Sequence, residues 1–186
     1  MRTVKRSTEL MPDSARSVAR RRTAPWLCAD DWGRLLIRLT FGVLLVGHGC
    51  QKLFGLFGGP GLTATGTYFD GLGYRPGKVF ALIGGLSEFF GGLGLAAGLF
   101  TPLAAAALVG VMINAMVTVS GAHGLWDQNG GIEYGICVAV VAVAIAALGP
   151  GRLALDRFFP WRDGGWPEAA VALGLGGIGA AVALSL

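Results

Sequence analysis

The chain has 186 residues, 53% of them hydrophobic and only 14% charged, with 32 glycines and a formal net charge of +4. Soluble domains carry about 25% charged residues, so this composition excludes an ordinary soluble domain and points to an integral membrane protein small enough to be one bundle. Glycine enrichment agrees, because glycine is more frequent in membrane helices than in soluble ones.

Residues 1–31 read as a polar, basic tail centred on "VARRRTAPW", expected to be disordered and cytoplasmic because its hydrophobicity is too low to bury a core. The arginine triplet is followed by no short apolar region with a small-residue cleavage site, so no cleaved signal is expected. Crossing the hydrocarbon core takes about 20 mostly apolar residues. Four segments qualify: roughly 33–57, 79–99, 102–120 and 132–149, with a further apolar stretch at roughly 168–186. The expected fold is all-α, a four-helix membrane bundle over residues 32–159. A linker and an additional C-terminal hydrophobic helix follow over residues 160–186.

Between the first two spans, "GGPGLTATGTYFDGLGYRPGK" is glycine-rich, but no G-K-[ST] follows, so it is not a phosphate cradle. It reads as a re-entrant or interfacial loop anchored by Tyr68, Phe69 and Tyr74. "GAHGLWDQNGG" reads as a second interfacial turn, anchored by Trp126. Arginines cluster in the tail (Arg16, Arg20, Arg21, Arg22) and in the link after the fourth span (Arg152, Arg157, Arg162). By the positive-inside rule both regions are expected in the cytoplasm.

The first span carries a polar stripe. At about 100° per residue, Arg34, Arg38, His48 and Lys52 fall near one line, with Phe41 and Leu45 between the pairs. Charge within a span costs a few kcal/mol or more unless it faces protein or water, so this face is expected to look inward. The alternative is that Arg34 and Arg38 snorkel to the inner headgroups and Lys52 to the outer ones. Glu88, in the middle of the second span, has no such escape and is expected to be paired. Asn114 reads as helix–helix hydrogen-bond glue. His48, Lys52, Glu88, Asn114 and Glu133 are expected to converge in the outer half of the bundle. The GG and GxxxG spacings, "GGLSEFFGG" and "GLAAG", mark places of close helix approach. Cys28, Cys50 and Cys137 form no CxxC pair, which argues against a disulfide framework or a zinc site.

The runs "RLLIRLTFGVLLVGHGCQKLFGLFGG", "SEFFGGLGLAAGLFTPLAAAAL" and "ALGPGRLALDRFF", in order over about residues 32–159, resemble the DoxX family of bacterial membrane proteins. The resemblance implies a four-helix protein of the plasma membrane. It also implies a link to redox assemblies, since the family takes its name from a subunit of a thiosulfate:quinone oxidoreductase. It carries over Arg38, His48, Gln51, Lys52 and Glu88 as ligand or proton-relay candidates, to which the residues themselves add Asn114. The leading functional expectation is a membrane subunit of an oxidoreductase or redox-stress complex that meets quinone or a small sulfur anion. Its expected partners are the lipid bilayer and proteins of that complex, with no nucleic acid and no covalently bound cofactor. A non-enzymatic solute-binding or transport module, or an anchor for soluble enzymes, remains as the alternative.

Overall fold

The computed structural model describes residues 28–186, so the tail expected over residues 1–31 falls, as far as residue 27, outside the described residues. No strand occurs among the described residues. The helices are α1 (Ala29–Phe54), α2 (Gly61–Gly71), α3 (Gly77–Ala97), α4 (Thr101–Ala115), α5 (Glu133–Leu148) and α6 (Trp166–Ser185). Four are long and apolar enough to cross a membrane: α1, α3, α6, and α4 with its extension to His123. The protein is a multi-pass all-α membrane bundle.

Three elements differ from the expected layout. α1 starts at Ala29 rather than residue 33, because Asp31 accepts a hydrogen bond from the Cys28 amide at 3.1 Å and closes the first turn. The segment after the first span is not a loop: Gly61–Gly71 is a helix. Pro60 sits directly before its first turn, where proline's fixed φ suits a helix start and its missing N–H costs nothing. α5, expected over 132–149, has only 16 residues, about 24 Å at 1.5 Å per residue, shorter than the roughly 30 Å hydrocarbon core.

The tightest helix pair is α1 with α3. A Cβ on Gly42 would stand 2.6 Å from the Gly92 carbonyl oxygen, and one on Gly49 would stand 2.7 Å from the Phe89 backbone nitrogen. Lipid tails are as apolar as leucine, so helices associate in a membrane by close packing of this kind. A core of Leu45, Leu95, Leu108, Val109, Val138 and Ile145 fills the space between α1, α3, α4 and α5, and Ala172 brings α6 onto it.

The end of the bundle where α1 begins and α3 ends is tied by α1. Each helix ends in carbonyls with no intrahelical partner, and in hydrocarbon no water satisfies them. Arg38, 1% exposed, answers this for α3. Its Nε donates to the Leu95 carbonyl at 3.0 Å and its Nη2 to that of Ala96 at 2.8 Å, while Nη1 reaches Pro150 at 2.6 Å and Leu153 at 3.3 Å. Arg34 does the same for α5, donating to Leu148 at 2.9 Å and more weakly to Gly149 at 3.4 Å. α3 ends in Gly98, left-handed at φ +62; a Cβ there would lie 2.8 Å from the Arg38 guanidinium carbon. Asp156, fully buried, accepts from the Phe100 and Thr101 amides at 2.8 Å each and so caps the start of α4.

Replacing Arg38 by Met strands several buried carbonyls and is expected to cost on the order of 3 kcal/mol. Asp156→Ala removes a cap and is expected to cost about 1–2 kcal/mol. Thermal unfolding in detergent checks both. An Arg38→Met protein as stable as the parent would contradict this role of Arg38.

Candidate functional site

At the other end of the bundle, α1, α2, α3, α4 and α6 enclose a cavity of about 780 Å³. That lies within the usual range of roughly 300–1,000 Å³ for small-molecule sites. Its wall is mostly apolar, and the polar groups gather at two places.

The first place is an ion pair. Lys52 comes from the last turn of α1 and Glu88 from the middle of α3. The Lys52 ammonium donates to both Glu88 carboxylate oxygens, at 2.9 and 2.7 Å. The Glu88 side chain is only 5% exposed and that of Lys52 27%. An ammonium has three N–H donors; two point at Glu88, which leaves the third for the cavity. Glu88 therefore has the partner its mid-span position demands. Gln51 lines the cavity beside Lys52, and its amide donates at 3.4 Å to the Phe57 carbonyl.

The second place lies on α4. The Tyr74 hydroxyl donates to Asn114 Oδ1 at 2.9 Å, and Asn114 Nδ2 donates to the Gly110 carbonyl of its own helix at 2.9 Å. Thr118, one turn on, returns a hydrogen bond to the Asn114 carbonyl at 2.9 Å. The helix relaxes here into a π-turn over Met116–Ser120. Such bulges occur mostly as single turns and frequently at functional sites. Tyr74, Asn114 and Thr118 all line the cavity.

The structure thus brings together four of the residues singled out from the sequence, Gln51, Lys52, Glu88 and Asn114, and separates the others. Arg38 is at the opposite end, held by backbone carbonyls. His48 is one turn before Lys52 but faces α5, where its ring lies 5.7 Å from that of Tyr134. Glu133 stays at the start of α5 and accepts from the Asp127 amide at 3.0 Å. The expected five-residue convergence therefore reduces to Lys52, Glu88 and Asn114. Four residues turn a helix by about 400°, a 40° offset, enough to move His48 from the α3 side toward α5.

Tyr74, expected as a headgroup anchor, is instead 8% exposed and part of the site. Its burial follows from tilted aromatic contacts with Phe69 and Phe80, at centroid separations of 5.6 and 5.0 Å. Nothing in the local sequence separates it from Tyr68, which is 52% exposed. Thr118 and Ser87, also in the wall, had a signal: Thr118 lies four residues from Asn114 on one helix face, and Ser87 adjoins Glu88.

The described residues hold no group of three or more His, Cys, Asp or Glu side chains placed to bind a metal. Cys28, Cys50 and Cys137 are free thiols. The family model described as DoxX matches residues 33–121. Comparison with curated proteins gives no match, and comparison with solved structures gives none.

Breaking a buried ion pair on one side strands a charge, whereas replacing both partners by apolar groups is close to neutral. Lys52→Met is therefore expected to lower stability by on the order of 3 kcal/mol, and Lys52→Met with Glu88→Met to recover most of it. Detergent unfolding of the two single variants and the double variant reads this directly. Additive losses in the double variant would show that the pair is not energetically coupled.

Proposed function

This chain is a DoxX family membrane protein, and on that premise we propose that it is a ligand-binding membrane subunit of an oxidoreductase assembly, with its cavity taking the head of a quinone-class molecule. The observation that carries this reading is the Lys52–Glu88 pair in the wall of a largely apolar cavity. A quinone head is flat and apolar with carbonyl acceptors, and it supplies a bilayer-soluble electron carrier. The third Lys52 N–H is a charge-assisted donor to such an oxygen. Glu88 fixes the direction of the ammonium and holds an acid–base group beside it. Asn114 Nδ2 and Ser87 offer further donors from the facing helices. Glu88 neutralises Lys52, so a small sulfur anion is the poorer fit.

The proposal places the protein in the bacterial inner membrane with the N-terminus and the 150–165 link in the cytoplasm. In support, Arg34, Arg38, Arg152, Arg157 and Arg162 gather at one end of the bundle, against Lys52, Arg75 and Lys78 at the other. Juxtamembrane arginine and lysine favour the cytoplasmic side. Reporter fusions after residues 65, 126 and 160 are expected to read outside, outside and inside. A cytoplasmic signal at 126 reverses the orientation.

Protein in nanodiscs is expected to bind a short-chain benzoquinone or naphthoquinone, followed by quenching of tryptophan fluorescence. Loss of one charge-assisted hydrogen bond is worth about 1.5–3 kcal/mol, so the Lys52→Met, Glu88→Met double variant should bind at least tenfold more weakly. Equal binding by the parent and the double variant would remove the ion pair from the site. A parent protein that binds no quinone but does bind another solute would favour the transport or solute-binding alternative.

A further inference from the structure

The cavity continues away from the ion pair, and its far wall comes from α6: Leu175, Gly176, Gly179 and Ala183. α6 lies entirely outside residues 33–121, which match the family model. α3 and α6 both pack on α4, and the small side chains of Ala106, Ala107 and Gly110 on α4 help form the floor between them. The closest approach of α4 and α6 is at Gly176, where a Cβ would meet the Ala106 carbonyl oxygen at 2.8 Å. One turn further, a Cβ on Gly179 would meet nothing within 4 Å. The helices are in contact at Gly176 and leave a channel at Gly179.

This channel opens sideways. Ile83 on α3 and Leu175 on α6 line the cavity and are also 53% and 49% exposed. Gly179 is exposed as well, and Ala183 is half-buried. All four lie on membrane-spanning helices, so the surface they share with the surroundings meets lipid rather than water. A solute arriving there comes from the bilayer.

We propose that the α3–α4–α6 channel is a tail-binding groove through which a membrane-dissolved ligand enters laterally, its polar head at Lys52–Glu88 and its apolar tail over Gly179. This rests on the head-group reading above and adds the tail and its determinant. The occupant is set by continuity: the groove is the same cavity as the polar site, so a molecule seated at Lys52 with an apolar substituent has one place to put it. The discrimination is by shape, because an alkyl chain is no less comfortable in lipid than in the groove. What the groove offers is contact with backbone and small side chains at close range, and a bulky side chain at Gly179 removes it.

Binding of two probes to protein in nanodiscs tests this: a tail-less benzoquinone and its decyl-tailed counterpart. The parent is expected to bind both, the decyl compound more tightly. Gly179→Phe is expected to weaken the decyl compound at least tenfold and leave the tail-less one within twofold. Gly174→Phe, on the same helix at another position with nothing within 4 Å of a Cβ but outside the cavity wall, is the control and is expected to change neither. If Gly179→Phe alters neither probe, the head site stands and the groove is refuted. If it weakens both alike, Gly179 shapes the whole site and the separate tail groove is refuted. A parent that binds neither probe overturns the head reading and the groove with it.

Discussion

The structure depends on one requirement: a helix end inside a membrane must find partners for its last carbonyls within the protein. Arg38 meets it for α3 and at the same time reaches the Pro150 and Leu153 carbonyls beyond α5. One guanidinium thus fixes the register of α1 against α3 and the path of the chain after α5. Its planar fork of five donors suits this; a lysine has a single point charge and three donors. Gly98 leaves the space, and Asp156, buried nearby, caps the opposite polarity at the start of α4. Positive charge at helix C-termini and negative charge at an N-terminus also match the helix dipoles.

The same stripe on α1 does different work at its two ends. At one end Arg38 spends Nε, Nη1 and Nη2 on backbone carbonyls, and Arg34 spends its Nη1 on two more. At the other end Lys52 meets a carboxylate rather than carbonyls, and a cavity stands beside the pair. An ion pair in a low-dielectric wall contributes little net stability, because desolvation offsets most of the attraction. Its presence where two apolar residues would serve the fold equally well is what makes this end the candidate site. Close packing through Gly42 and Gly92 gives α1 and α3 a fixed relation from which Lys52 and Glu88 project.

How much of this was legible in the sequence follows from the same physics. Charge in a hydrocarbon span has few tolerable arrangements, so the inward stripe on α1 and the pairing of Glu88 could be read from composition and helical period. Long apolar runs gave the spanning helices for the same reason. Short amphipathic elements carry weaker signals: α2 is 11 residues, includes three threonines and three glycines, and reads as loop. Tyr74 and Tyr68 are alike in sequence, and only the fold of α2 over α3 buries one and exposes the other. His48 shows the limit of a helical wheel, since a 40° offset is small on the wheel yet decides which neighbouring helix a side chain meets.

The C-terminal helix changes what the bundle can do. Without α6, the face of α4 formed by Ala106, Ala107 and Gly110 would be a flat strip open to lipid, with nothing to hold a ligand beside it. With α6 laid along it and touching at Gly176, the strip becomes the floor of a channel continuous with the polar site. Small residues serve two opposite ends here. At Gly42, Gly92 and Gly176 the missing side chain is filled by another helix, which fixes the scaffold. At Gly179 no protein atom comes within 4 Å of where a side chain would start, and that space belongs to the same cavity as the charged pair. A cavity with a polar end buried in protein and an apolar end open to lipid selects for molecules built the same way. The α6 wall, outside the matched domain, sets which of them fit.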